Sequence, residues 1–120
     1  MEASFYGNAA AVKVLLDHKA DPNVQDRNGG TPLIMAAIHN HADVIDLLVG
    51  GGGKVDQPDT HGFTPFLITA TKGHVEAAQA LVRHGADVNR KSEGGETALT
   101  LARGPANPKF LQYLRELGVQ

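Results

Sequence analysis

Apolar residues recur along this chain at three- and four-residue spacing, in short runs divided by polar and glycine-containing stretches. Ala11, Val12, Leu15 and Leu16 form one run. Val44, Ile45, Leu47 and Leu48 form a second, Val75, Ala78, Leu81 and Val82 a third, and Phe110, Leu111, Leu114 and Leu117 a fourth. Each predicts a short helix with one apolar face. Shorter runs precede them: Leu33, Met35 and Ala36-Ala37, then Phe66, Ile68 and Ala70. Thr64-Pro65 is a start signal, because the threonine hydroxyl can accept from a first-turn amide and proline has no amide to leave unpaired there. Gly73 can take the left-handed conformation that ends a helix, and Gly85 ends the helix that begins at His74. Asn40 stands where Gly73 stands later, which asparagine tolerates.

These elements repeat. Thr64-Pro65-Phe66 follows Thr31-Pro32-Leu33 by 33 residues, and Thr97-Ala98-Leu99 follows after 33 more. Helices this short are marginal alone, below the roughly 12–15 residues that even good formers need. Equivalent units must therefore stack and share a core. The units run 26–58, 59–91 and 92–120, with a partial first unit at 1–25, in one domain. In that first unit Ala3 to Asn8 is in phase with Ala36 to His41, and no Thr-Pro start precedes it. The expectation is a cut from something longer or a native half-unit, with apolar surface exposed at that end. Gly50-Gly51-Gly52-Gly53 is expected to be the loosest junction. In the last unit, Pro105 should stop the first helix near Arg103, and Asn107-Pro108 should start the final one. Lys109, Gln112, Arg115 and Glu116 suit its outer, capping face.

The residues Gly62-x-Thr64-Pro65, Gly73-His74 and Gly85-Ala86-Asp87-Val88-Asn89 resemble the ankyrin repeat, whose unit has the same length. The resemblance covers essentially the whole chain and implies an all-α repeat solenoid. Its helix-turn-helix units would be joined by short β-hairpin-like loops.

Composition narrows the function. The chain of 120 residues is 42% hydrophobic and 20% charged, with net charge −2 and pI near 6.3. That balance argues against non-specific nucleic-acid binding. Residues 1–60 hold four Lys/Arg against eight Asp/Glu, and residues 61–120 hold seven against five. There are no cysteines, which removes disulfide and thiolate chemistry and fits a reducing compartment. No membrane-length apolar run or signal-peptide pattern is present, so the expected setting is cytoplasm or nucleus.

The chemistry of an active site is not visible. His41 and His74 share one unit position, and His18 and His84 share another, so helix-capping and helix-end roles account for them. His39 and His61 are not periodic. Gly50–Gly53 before Lys54 fails the phosphate-loop spacing, since Leu48 replaces the first glycine and Val55 follows the lysine. Ser4 and Ser92 lie in no nucleophile context. We expect a non-enzymatic monomer with no metal or cofactor.

The resemblance implies that a partner protein binds the concave surface of hairpin tips and inner-helix ends. Carried onto this sequence, the positions are Arg27, Asn28, Thr60, His61, Phe63, Lys91, Glu93 and Glu96 at the tips. Phe5, Tyr6, Ile38, His39, Thr71 and Lys72 are those at the helix ends. Phe63 has a second reading, folded over its own hairpin, and Phe5-Tyr6 another, packed on a preceding unit. Narrower versions make the chain an inhibitor or adaptor covering an enzyme's active site, or the interaction segment of a larger protein. The resemblance also implies possible asparagine hydroxylation at Asn23 and Asn89.

Overall fold

In the computed structural model, residues 2–103 and 107–119 are described, with the side chains of Glu2 and Phe5 outside the description. The apolar runs fold into eight helices among those residues: α1 (Glu2–Phe5), α2 (Ala9–Asp17), α3 (Pro32–Ile38), α4 (Ala42–Gly50), α5 (Pro65–Lys72), α6 (Val75–Arg83), α7 (Ala98–Ala102) and α8 (Pro108–Leu117). They form four pairs. The first members, α1, α3, α5 and α7, pack in series, and so do α2, α4, α6 and α8. The result is an array 41 Å long and 24 by 22 Å across.

The starts follow the sequence closely. Thr31, Thr64 and Thr97 each accept from the amide three residues on, and Thr97 forms a reciprocal capping box with Thr100. Gly73 and Asn40 are left-handed, with φ of 73° and 59°. The helix α7 ends at Ala102, as the following proline predicts; Pro105 itself lies outside the described residues. Leu33, Ile45, Leu48, Phe66, Leu81, Phe110 and Leu114 belong to one buried core that crosses all the pairs. Lys109, Gln112, Arg115 and Glu116 face solvent, as a capping surface should.

Three expectations need correcting. His41 and His74 occupy N-cap positions, but neither side chain caps its helix. Instead, the His41 ring covers Gly7 of the preceding pair, where an added Cβ would lie 2.6 Å from it. His74 Nε2 donates to the Ile38 carbonyl at 3.1 Å, and Asn40 Oδ1 accepts from Ala77 N at 3.0 Å. The first turn of α6 is thus capped from the neighbouring unit. Asn107 likewise starts α8 without a side-chain cap bond, its amide reaching the Ala70 carbonyl at 3.5 Å. Gly50, read as part of a turn, is the last residue of α4. The glycines after it are held by Asn23, which accepts from Lys54 N at 2.7 Å and donates to Gly52 O at 3.1 Å.

Candidate functional site

Each loop between pairs closes as a small hairpin. Asp26 N donates to Gly30 O, Asp59 N to Phe63 O and Ser92 N to Glu96 O, at 2.9, 3.0 and 3.0 Å. Asp26 Oδ1 accepts from the amides of Asn28 and Gly30, at 2.9 and 2.8 Å. Asp59 Oδ1 does the same for His61 and Phe63, at 2.8 and 3.0 Å. Short polar side chains that bond their own backbone are what fix such turns. Ser92 Oγ takes over for Glu96 N at 3.2 Å.

Neighbouring tips are tied to one another through backbone. Thr60 N donates to Asn28 O and Glu93 N to His61 O, both at 3.0 Å. The residues beside these bonds, Gly29 and Gly62, have φ of 75° and 79°. A Cβ on Gly62 would lie 2.7 Å from Glu93 N, so both conformation and space require glycine there. The three tips make one continuous edge.

Arg27, Asn28, Thr60, His61, Lys91, Glu93 and Glu96 are exposed along that edge. Thr60 Oγ1 donates to Asn28 O at 3.1 Å, and Glu96 Oε1 accepts from Ser92 Oγ at 3.1 Å. Phe63 is half-buried and packs against the core. At the inner-helix ends, Tyr6, His39, Thr71 and Lys72 are exposed and Ile38 is half-buried. Thr71 Oγ1 bonds back to Leu67 O at 3.1 Å. The Phe5 side chain lies outside the described residues. The His39 and His41 rings lie near-parallel, 6.0 Å apart. Among the described residues, no group of three or more His, Asp or Glu could hold a metal ion. No helix there is long and apolar enough to cross a membrane.

The apolar residues of the inner helices include a set less covered than the rest. Met35, Ile68 and Leu101 share a unit position and are half-buried, whereas Leu33 and Leu67 on the same helices are buried. The Met35 methyl lies 3.1 Å from where a Gly30 Cβ would stand, which puts it at the base of the first tip. Their period was readable; their partial exposure was not.

The profile of ankyrin repeats matches this chain in three copies, over residues 1–92 and 52–120. The chain belongs to the ankyrin repeat family. A protein of Pyrobaculum aerophilum named as an ankyrin repeat protein is 49% identical over 39 residues, 32% of this chain and 15% of that protein. Fem-1 homolog C of Xenopus laevis is 44% identical over 43 residues, 36% of this chain and 7% of that protein. The matched stretch is therefore a small part of either relative. Ankyrin repeats are generally protein–protein interaction modules, which agrees with an exposed edge fixed by its own backbone.

The two asparagines of the outer ankyrin loops differ. Asn23 is half-buried and engaged at both ends of its amide. Asn89 is exposed, its backbone amide held by Asp87 Oδ1 at 3.0 Å.

Proposed function

We propose that this ankyrin array recognises a partner protein along the edge of hairpin tips and inner-helix ends. What supports the reading is the backbone bonding from tip to tip, which presents exposed side chains on a preformed support. A preformed edge loses little conformational freedom on binding. Arg27, His61, Lys72 and Lys91 are exposed and Phe63 and Ile38 half-buried, a combination of polar and apolar residues of the kind that interfaces use.

The test is a triple variant, Arg27→Glu, His61→Ala and Lys72→Glu, all at exposed positions. Phe63 is left intact because its loss would disturb the core. A photo-crosslinking residue at Thr60 identifies the partner, and affinity is then measured for wild type, the triple variant and an outer-helix control, Gln79→Glu. We expect about tenfold or greater weakening for the triple variant alone, as loss of central contacts gives. Equal affinity at equal melting temperature would remove the assignment.

Asn89, exposed where Asn23 is clasped, is the position put forward for hydroxylation. Peptide mass analysis of the protein from its native cell should find one added oxygen on Asn89 and none on Asn23. Unmodified Asn89 would end that reading.

A further inference from the structure

Of the six asparagines in the chain, Asn28 alone is followed by glycine. A following residue without a Cβ leaves the backbone free to bring its amide against the asparagine side chain. The structure separates the six again by what holds each carboxamide. Asn8 Oδ1 accepts from Ala11 N at 3.0 Å. Asn23 and Asn40 are engaged at both ends of the amide, and Asn107 Nδ2 reaches Ala70 O. The exposed carboxamides of Asn28 and Asn89 bond to no other group among the described residues. Asn89 precedes Arg90, so Asn28 alone combines an untethered side chain with a following glycine.

The backbone around it is tied down. Gly29 N donates to Asp26 O at 3.0 Å, and Asp26 Oδ1 holds the flanking amides of Asn28 and Gly30 at 2.9 and 2.8 Å. Gly29 is buried, with Thr60 N 2.8 Å from where its Cβ would stand. Asn28 O accepts from Thr60 N at 3.0 Å and from Thr60 Oγ1 at 3.1 Å. The amide that could attack the Asn28 side chain is therefore released only when the first tip opens. Val24 to Asn28 are all exposed, and segments with few buried apolar contacts are where native chains open most readily.

We propose that Asn28-Gly29 is a deamidation site, gated by opening of the first tip, and that isoaspartate formed there uncouples this tip from the second. In the opened tip Gly29 N loses its proton to water and bonds to Asn28 Cγ. The Cγ–Nδ2 bond breaks, the nitrogen takes up a proton and leaves as ammonia, and a five-membered succinimide remains. Water adds at either ring carbonyl and the ring opens to aspartate or isoaspartate. The balance is a carboxamide and water in, a carboxylate and ammonium out. In the isoaspartate product the main chain runs through Cγ and is one methylene longer. The carbonyl that Thr60 bonded is then a free carboxylate, and Gly29 loses its place between Asp26 O and Thr60 N. The reaction needs no partner, so it stands or falls apart from the recognition reading.

The test incubates the folded 120-residue chain at mildly alkaline pH, well below its melting temperature, beside a free peptide of Gln25 to Leu33. Peptide mass mapping follows both over days, with electron-transfer fragmentation to tell isoaspartate from aspartate. The amide-to-acid mass shift is expected at Asn28, with both products, more slowly than in the peptide and faster than at any other asparagine. Asp26→Ala, which frees the two held amides, should speed it roughly tenfold, the factor that losing two modest hydrogen bonds gives. In the purified isoaspartate form, hydrogen exchange at Thr60 N should be roughly tenfold faster than in Asn28→Asp, which carries the charge without the extra methylene. An Asn28 still intact when the peptide is fully converted would overturn the site. An unchanged rate in Asp26→Ala would overturn the gating, and equal Thr60 exchange in the two forms would overturn the uncoupling.

Discussion

Lys19 sits where the other units have glycine. Its φ is 63°, and its counterparts Gly52, Gly85 and Gly118 have φ of 102°, 86° and 77°. A left-handed conformation costs a residue with a Cβ roughly 1–2 kcal/mol, part of which glycine returns through its freer unfolded state. Lys19→Gly should therefore stabilise the chain by about 0.5–1 kcal/mol, seen as a higher urea midpoint at unchanged m-value. Glu76 makes a second residue-scale case. Its carboxyl accepts from Asn40 Nδ2 at 3.1 Å, and this bond first, then its own backbone, His74 and Lys109, holds its pKa below the ordinary glutamate value. A carboxyl depressed in the folded state adds stability above its unfolded pKa, and that contribution fades as pH falls through the folded value. Asn40→Gly keeps the left-handed turn but removes this bond. The Glu76 titration followed by NMR should then move back up, and the acid limb of the stability curve should flatten slightly. An unmoved midpoint would mean that Asn40 is not the main cause.

Element ends and hairpins show best what the sequence could and could not tell. The Thr-Pro starts, the left-handed Gly73 and Asn40 and the stop of α7 were legible because each depends on neighbours within four residues. The cap on Ala77 was not, because its acceptor, Asn40, is 37 residues away and belongs to another unit. The site divides in the same way. The ankyrin resemblance placed Arg27, His61 and Lys72 on the surface, but Phe63 shares its position with Gly30 and Glu96, so period could not say how far its ring turns inward. At hairpin scale, Gly62 and Gly95 make a matched pair. Both have φ of 79°, but a Cβ on Gly62 meets Glu93 N while one on Gly95 meets nothing within 4 Å. Gly95→Ala should cost about 1–2 kcal/mol from conformation alone. Gly62→Ala should cost clearly more, because the bond between tips must also open; thermal denaturation of the two variants measures the difference.

Across the whole molecule, stability accumulates from one pair to the next, because each packs only against its neighbours. Leu81 is buried between pairs, and Leu81→Ala should cost about 2–5 kcal/mol. Leu15→Ala, at the same position on the open first pair, should stay within about 0.5 kcal/mol, as for other surface changes. Amide hydrogen exchange should show the same order, fastest in α2 and slowest in α5 and α6; uniform protection would contradict a graded array. The amides of Thr60 and Glu93 carry a further meaning at this scale. Because they lock each tip to the one before, a protein binding as proposed would meet a ruled edge with fixed graduations. It would fit that spacing or fail to, with little rearrangement on this side before contact. Encounter should then be a single kinetic step at roughly 10⁵–10⁷ M⁻¹s⁻¹, and variants along the edge should differ chiefly in how long the complex lasts.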